Sequence, residues 1–205
     1  MNGIYGEYKP VLEEIKNDFQ RRIEEYTEQE YQKSGIKIYE HLISRVKSEE
    51  SMSEKCRRKN LPETPDSALM EMHDSIGLRI VCSFIEDIYT NIRYIKSFPD
   101  CRIVDEKDYI RHAKPNGYRS YHMILEVQYP YADLCGNNPG KYYVEIQLRT
   151  IAMDSWAALE HKLKYKKNVA NQELIIAELK RCADEMASCD VSMQTIRDLI
   201  TGTEE

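Results

Sequence analysis

Two segments of strong two-residue alternation, 118–129 and 142–149, constrain the fold more than any other feature of the chain. Alternation of apolar and polar residues is typical of β-strands that have one buried and one polar face. The residues between the segments, PYADLCGNNPG, supply the proline, glycine and asparagine of a turn. The sequence therefore predicts a long β-hairpin whose two polar faces coincide.

Helical and extended patterns alternate along the rest of the chain. Apolar residues at helical spacing predict an amphipathic helix over about 8–33, and a short cationic helix is predicted at 51–60. The other predicted elements are strands at 36–46, 78–84 and 102–107 and helices at 85–97, 151–165 and 172–199. This order predicts a single α/β (α+β) domain over 1–205, with a mixed β-sheet flanked by helices and a long C-terminal helix.

The balance of charge limits the classes of ligand. The chain has 29 lysine and arginine residues against 35 aspartate and glutamate residues, a net charge of −6. This composition argues against a general duplex-DNA binder, which usually carries net positive charge. The cations are nevertheless clustered at 45–59 and 107–119. Local cationic clusters on an acidic protein favour a small polyanion as the ligand.

Cysteine spacing and hydropathy indicate the compartment. The six cysteines form no CxxC pair and have no histidine at zinc-ligand spacing, which argues against a structural zinc site. The N-terminus has no apolar signal core, and no apolar run approaches the length needed to span a membrane. We therefore expect a reduced, soluble, cytoplasmic protein that does not contact a membrane.

The predicted hairpin brings polar side chains together on one surface. On the second strand they are Tyr143, Glu145, Gln147 and Arg149. On the first strand the matching positions are Tyr118, Ser120, His122, Ile124 and Glu126. A solvated sheet face is the common fate of such residues. The segment 114–122, KPNGYRSYH, adds two cations and two tyrosines beside them, and this combination favours a binding site.

A second group of polar residues precedes the strand predicted at 78–84. The pair His73–Asp74 is also found in metal phosphohydrolases of the HD type, but the other histidines lack the contexts which that chemistry requires. Alternatively, Asp74 and Glu145 together hold one Mg²⁺, which takes one or two carboxylates plus phosphate oxygens. A helix cap and a surface charge are the structural alternative for the same two carboxylates. The chain contains neither GxxxxGK[ST] nor GxGxxG, so phosphates must be bound by side-chain cations.

Four motifs occur together within residues 73–166: HDSIGLRIVC, KPNGYRSYH, VEIQLRT and DSWAALEHKLKYK. With these motifs in this order, the chain resembles the synthetase domain of the RelA/SpoT family. It is most similar in kind to the small alarmone synthetases, which lack the hydrolase domain of the long enzymes. The resemblance implies a nucleotidyltransferase-like mixed sheet. It also implies a Mg²⁺-dependent transfer of pyrophosphate from ATP to the 3′-hydroxyl of GDP or GTP, which makes the stringent-response alarmones ppGpp and pppGpp.

The resemblance also implies a role for each matching residue. Asp74 and Glu145 match the Mg²⁺ ligands, and Glu145 matches the base that acts on the 3′-hydroxyl. The residues that match the ATP site are Arg45, Lys47, Arg58 and Arg79. The residues that match the GDP or GTP site are Lys107, Lys114, Tyr118, His122 and Gln147. Among these, Tyr118 matches the residue that stacks on guanine, and Lys107 stands where relatives often have arginine.

A binding module is the alternative function. Tyrosines among lysines and arginines are also the usual material of single-stranded RNA binding, and some relatives bind such RNA. A pure RNA- or nucleotide-binding module would bind without turnover. It would gain nothing from Asp74 and Glu145 in a basic cleft, so these two carboxylates favour the enzyme.

The last helix carries a possible assembly surface. Apolar residues recur there at alternating steps of three and four, which is the spacing of a coiled-coil seam. They are Ile175, Leu179, Cys182, Met186, Cys189, Met193, Ile196 and Ile200. A long helix packed along its own domain gives a similar stripe. The resemblance to small alarmone synthetases, which assemble as homotetramers, favours a homotetramer built through the helices at about 171–202.

Overall fold

The structure is a computed structural model that describes residues 3–164 and 171–202. Its centre is a five-stranded β-sheet with the strand order β1-β2-β5-β4-β3. The strands are β1 His41–Val46, β2 Ile76–Cys82, β3 Cys101–Asp108, β4 Tyr121–Tyr129 and β5 Gly140–Thr150. Strands β2 and β5 run parallel, and the other three neighbouring pairs are antiparallel. The predicted mixed sheet is therefore confirmed.

Five α-helices surround the sheet in the part of the chain that the structure describes. They are α1 Lys9–Ser34, α2 Glu49–Arg58, α3 Ile85–Lys96, α4 Ile151–Lys164 and α5 Gln172–Thr201. Two short elements complete the fold, a 3₁₀ turn at Gly6–Tyr8 and a π-helical turn at Ser67–Glu71. The predicted helix at 151–165 is found as α4, although Tyr165 lies outside the described residues. None of these helices is both long and apolar enough to cross a membrane.

The predicted hairpin is confirmed as β4 and β5. Tyr121 pairs with Leu148 at one end, and Tyr129 pairs with Gly140 at the other. In this register, the apolar positions of both strands face the same side as those of β2. That side packs against α1 and α3 and forms the core, whereas the opposite side of the sheet carries the polar residues.

Helix α1 illustrates how the core side is closed. Four of its residues, Leu12, Ile15, Phe19 and Ile23, are almost completely buried against the sheet. Their three- and four-residue spacing puts them on one stripe of the helix. The helix ends at Gly35, which has φ +69° and donates its backbone N–H to the carbonyl oxygen of Tyr31.

Several predicted boundaries differ from the structure. The strand predicted at 36–46 begins only at His41, and the one predicted at 78–84 is two residues too late at each end. Residues 118–120 were predicted as strand but are irregular, and the carbonyl oxygen of Tyr118 accepts the backbone N–H of Lys114 within the loop. The side chain of Ser120 was predicted on the polar face. It is buried there, where its hydroxyl donates a hydrogen bond to the carbonyl oxygen of Leu148 and accepts one from Nε of Arg149.

The face of α5 that packs against its own domain is not the coiled-coil seam that was predicted from the sequence. Ala183 and Asp190 are buried, and the carboxyl of Asp190 accepts a hydrogen bond of 2.6 Å from the hydroxyl of Thr150. Seam residues toward the C-terminus remain exposed, about a quarter turn away around the helix. The large apolar residues exposed on α5 are Leu174, Ile176, Val191, Met193, Ile196, Leu199 and Ile200.

Candidate active site

The polar side of the sheet contains a cavity of about 290 Å³ where β1, β2 and β5 lie next to one another. Its lining includes six of the site residues predicted from sequence: Arg45, Lys47, Asp74, Arg79, Glu145 and Gln147. Sheet register explains why they meet. Gly77 of β2 lies between Arg45 of β1 and Glu145 of β5, and Arg79 lies beside Gln147.

Gly77 forms part of the floor of this cavity. A Cβ atom built on Gly77 would have no other atom within 4 Å, so the space above it is open. The side chains of Arg45 and Glu145 flank this space from the two neighbouring strands. Glycine therefore leaves this part of the cavity open.

Asp74 lies just before β2, where two lysines meet its carboxylate. Its Oδ2 atom accepts hydrogen bonds from the ammonium groups of Lys47 and Lys55, the latter at 2.6 Å. Its Oδ1 atom is buried and has no hydrogen-bond partner among the described residues. Burial alone would raise the pKa of Asp74, but the two lysines outweigh it and hold the pKa below its usual value. The carboxylate is therefore charged and has one oxygen free for another ligand.

Glu145 is the second carboxylate of the cavity. Its Oε1 atom lies 3.4 Å from Nδ1 of His122. Burial acts to raise the pKa of Glu145, and the nearby charge of Asp74 acts in the same direction. Hydrogen bonds from His122 and Gln147 and the charge of His122 outweigh both, so the pKa lies below its usual value. Glu145 is thus a deprotonated carboxylate near a second one, which suits a shared cation.

Tyr118 joins the site from the loop 114–120 rather than from a strand. Its hydroxyl lies 2.8 Å from Nε2 of His122 and accepts a 2.8 Å hydrogen bond from Nη2 of Arg149. Because Arg149 can only donate, the tyrosine proton is available for Nε2 of His122, whose other ring nitrogen, Nδ1, faces Glu145. A chain of polar contacts thus runs from Arg149 through Tyr118 and His122 to Glu145.

Cations and aromatic rings surround Tyr118. The ammonium nitrogen of Lys114 lies 4.7 Å from the centre of the Tyr118 ring and 4.4 Å from that of Tyr109. The rings of Tyr109 and Trp156 approach Tyr118 edge-on, with centroids 6.1 and 6.4 Å away. The Tyr118 ring is therefore packed against two aromatic neighbours, and the side chain of Lys114 lies over it.

Asp154 of α4 connects this group to the cavity. Its Oδ1 atom lies 2.9 Å from Nη1 of Arg149 and 3.2 Å from Nη1 of Arg79. Burial lowers the pKa of Arg79, and the nearby charge of Arg149 lowers it further. One carboxylate therefore holds two guanidinium groups that would otherwise repel each other, one from β2 and one from β5.

The remaining predicted residues lie further out. Lys107 is half-exposed and pairs with Asp105 at 2.5 Å, although it lies opposite His122 in the sheet register. Arg58 is exposed at the C-terminal end of α2 and does not line the cavity. Lys55, one turn earlier on the same helix, contacts Asp74 instead.

His73 is engaged away from the two carboxylates. Its ring stacks on Tyr143 with centroids 3.9 Å apart, and its Nε2 atom lies 3.0 Å from the carbonyl oxygen of Met70. Within residues 3–164 and 171–202, no group of three or more histidine, cysteine, aspartate or glutamate side chains is arranged to hold a metal ion. The geometry of the HD pair thus gives no support to a phosphohydrolase.

Sequence reasoning did not assign a role to three residues of this site: Lys55, Arg149 and Asp154. Lys55 belongs to the cationic cluster at 45–59, and Arg149 falls on the polar face of the predicted hairpin, so both carried a signal. Asp154 is the first residue of the motif DSWAALEHKLKYK, but no spacing in the sequence indicates its contacts, since its position depends on how α4 folds back over the sheet.

Comparison with known proteins identifies relatives of this chain. Residues 44–170 match the family model of the region found in RelA/SpoT proteins. The GTP pyrophosphokinase YwaC of Bacillus subtilis (strain 168) is 44% identical over 163 residues, which are 80% of this chain and 76% of that protein.

Two solved structures resemble the fold over nearly its whole length. The small alarmone synthetase 2 from Bacillus subtilis superposes with a TM-score of 0.78 and 39% identity, covering 93% of this chain and 97% of that one. The small alarmone synthetase 1 from Bacillus subtilis, bound to its product pppGpp, gives a TM-score of 0.75 and 33% identity over 94% of each chain.

Proposed function

Because the chain belongs to the RelA/SpoT family, we propose that it is a GTP pyrophosphokinase that transfers pyrophosphate from ATP to the 3′-hydroxyl of GDP or GTP. The products are AMP and the alarmones ppGpp or pppGpp of the stringent response. One observation carries the proposal beyond family membership. The carboxylates of Asp74 and Glu145 line one cavity together with the cations that polyphosphates require.

Glu145 is the group proposed to accept the proton of the 3′-hydroxyl. Its lowered pKa keeps it deprotonated at neutral pH, so a base is present before the substrate arrives. The contact with His122 orients the carboxylate, and Tyr118 in turn fixes the imidazole ring. The acceptor hydroxyl would thus meet a base of defined position, which a transfer with in-line geometry demands.

Asp74 and Glu145 are also proposed to hold Mg²⁺. The fit is supported by the buried Oδ1 atom of Asp74, which has no hydrogen-bond partner among the described residues. Two carboxylates plus phosphate oxygens suit Mg²⁺, which keeps several ligands from water or substrate. When bound, the ion would neutralise part of the negative charge that two facing polyphosphates bring into the cavity. Lys47 and Lys55 supply further positive charge beside Asp74.

The ATP side of the site is proposed to lie on β1 and β2. Arg45 and Arg79 flank the open floor at Gly77, where a planar base can stack between guanidinium groups. Lys47 is placed to contact the phosphates of ATP, next to the proposed metal ligand Asp74. Arg58 is exposed, so a phosphate contact from it would require the substrate to extend beyond the cavity.

The acceptor side is proposed to lie around Tyr118. Guanine would stack on the ring of Tyr118, and Lys114 would leave the ring face to bind phosphate. His122 and Gln147 lie side by side on β4 and β5 between this ring and Glu145, and Lys107 neighbours His122 on β3. The acceptor ribose would therefore lie near Glu145, while the ATP phosphates approach from the side of Asp74.

A binding module without turnover is the second candidate function. The exposed cations and tyrosines near Tyr118 would serve single-stranded RNA as well as a nucleotide. Asp74 and Glu145 disfavour this candidate, because charged carboxylates inside a basic cleft weaken the binding of a polyanion. Affinity for RNA together with a lack of turnover would favour it.

Self-assembly through α5 is also proposed. Met193, Ile196 and Ile200 remain half-exposed or more, and apolar surface of this kind marks an interaction site. A homotetramer in the cytoplasm, where ATP and guanosine nucleotides are available, is the expected state. Met193→Asp combined with Ile196→Asp should give a monomeric mass in light scattering. Met186 is a poor choice for this test, since it lines the space between α5 and the loop 114–120.

The proposed reaction is tested by incubating the protein with ATP, GDP or GTP, and Mg²⁺, followed by chromatographic separation of the nucleotides. We expect AMP and a 3′-diphosphorylated guanosine nucleotide to form in equal amounts. Omission of the divalent metal should abolish both products. Formation of ADP or free phosphate without the guanosine product would contradict the proposal.

A further inference from the structure

The loop 114–120, which carries Tyr118, packs closely against the middle of α5. Gly117 has φ +90°, and a Cβ atom built on it would lie only 2.5 Å from the Cβ atom of Ala183. Side-chain carbon atoms in well-packed proteins do not approach so closely. Both the backbone conformation and the proximity of the helix therefore require glycine at this position.

Arg119 fixes this contact from the loop side. Its Nη1 atom donates to the carbonyl oxygens of Ala183 and Gly117, each at 3.2 Å. Its Nη2 atom donates to Oδ1 of Asp184 at 3.1 Å. The planar guanidinium group can hold these acceptors together in one fixed geometry, which an ammonium group cannot do. The side chain of Arg119 is only 19% exposed, so water competes little for its donors.

Trp156 of α4 packs against the same part of α5. Its Nε1 atom donates to the carbonyl oxygen of Leu179 at 2.8 Å, and the residue is 4% exposed. Its ring approaches Tyr118 edge-on, with the centroids 6.4 Å apart. Helix α5, Trp156 and the loop 114–120 thus form one packed unit that supports the Tyr118 ring.

We propose that Arg119 is a positioning residue, which holds the loop 114–120 against α5 and thereby sets the orientation of Tyr118 for the acceptor nucleotide. The inference rests on the proposed function, in which Tyr118 stacks on guanine. Arg119 itself touches neither substrate. The proposed ATP contacts Arg45 and Arg79 lie on β1 and β2, across β5 from the loop. Loss of Arg119 therefore weakens acceptor binding far more than ATP binding.

The test compares Arg119→Ala with Arg119→Lys and with a matched control, Arg181→Ala. Arg181 lies on α5, the helix that Arg119 contacts. It is exposed and pairs only with Glu178 and Glu185 among the contacts identified for it. Initial rates at varied acceptor and at varied ATP give the two KM values. Trp156 is the only tryptophan of the chain, so acrylamide quenching of its fluorescence reports on the packed unit without any need for turnover.

Arg119→Ala is expected to raise the acceptor KM about tenfold, the lower end of the range for loss of one hydrogen bond to a charged group. The KM for ATP should change less than about twofold, and the quenching of Trp156 should increase. Arg119→Lys should lie between the unmodified protein and Arg119→Ala, and Arg181→Ala should match the unmodified protein. A purely structural role would instead lower thermal stability without separating the two KM values.

An equal rise in both KM values, or no change in the quenching of Trp156, would overturn the inference. If Arg119→Ala does not fold, Asp184→Ala removes one acceptor at an exposed position, and a rise in acceptor KM alone is then the required result. If the unmodified protein itself forms no guanosine product, the proposed function fails. The quenching of Trp156 in Arg119→Ala then decides whether Arg119 holds the loop, and unchanged quenching refutes it.

Discussion

The two parts of the Tyr118 side chain are expected to contribute differently to the reaction. The ring offers a stacking surface for guanine, whereas the hydroxyl contacts His122 and Arg149 at 2.8 Å each. Tyr118→Ala removes both parts, and Tyr118→Phe removes only the hydroxyl. Comparing these two variants therefore separates base stacking from the orientation of His122 and, through it, of Glu145.

The magnitudes follow from the contacts. Loss of stacking costs about 1–3 kcal/mol, so Tyr118→Ala should raise the acceptor KM about 5- to 150-fold. Tyr118→Phe loses hydrogen bonds worth about 1 kcal/mol net, because Arg149 keeps Asp154 and Gln147 as acceptors. The resulting loss of about fivefold should appear in kcat, since the freed imidazole no longer orients Glu145.

The assay measures initial rates of AMP formation at varied acceptor with saturating ATP, and then at varied ATP with saturating acceptor. Tyr31→Ala is the control, because Tyr31 is exposed on α1. A KM for ATP that rises as much as the KM for the acceptor would refute the stacking role of Tyr118. An unchanged kcat in Tyr118→Phe would refute the orienting role of its hydroxyl.

Three further variants test other contacts. Lys55→Met removes one of the two lysines that contact Asp74. Steady-state kinetics should show kcat/KM lowered about 10- to 150-fold, the range for loss of a hydrogen bond between charged groups. Asp154→Asn leaves two arginines without their shared carboxylate, and a loss of about 2 kcal/mol should lower Tm by about 4–8 °C in calorimetry. Arg22 donates hydrogen bonds that lower the pKa of Asp100 in the folded protein. The stabilisation from this contact is fully present above the unfolded pKa of about 3.9, and it is lost as the pH falls through the folded pKa. Arg22→Met should therefore reduce the unfolding free energy at neutral pH and flatten its decrease below about pH 4, as measured by urea unfolding at each pH.

The hairpin and its polar face could be predicted from the sequence because both depend on short-range patterns. Alternation with period two assigns each residue of β4 and β5 to a face, and turn residues between the strands join them. Glu145, Gln147 and His122 were therefore predicted on one surface, where the structure has them. The position of Asp74 beside Glu145 depends on the parallel pairing of β2 with β5, which no local pattern specifies. The ligand preference of Mg²⁺ and the family resemblance, rather than periodicity, suggested that these two residues lie together.

Other features depend on how distant elements pack. Asp154 bridges two arginines only because α4 turns back over the end of β5, and no spacing in the sequence indicates this contact. The helix α5 was predicted from the sequence, but the face that it turns toward the domain was not. Ala183 and Asp190 are small or polar, yet they lie on the buried face, because the loop 114–120 and Thr150 need close approach and a hydrogen-bond partner there.

The most direct measurement of the central claim is the rate of pyrophosphate transfer by Asp74→Asn and Glu145→Gln. Both substitutions keep the shape of the side chain and remove its charge. Glu126→Gln is the matched control, since Glu126 lies on the same sheet face but pairs with Arg102 and Lys141. If the two carboxylates serve as metal ligands and base, both variants lose activity by orders of magnitude while circular dichroism shows them folded, and the control stays within a few-fold of the unmodified protein. A rate within a few-fold for either variant would contradict the role of that carboxylate, and for both it would contradict the proposed active site.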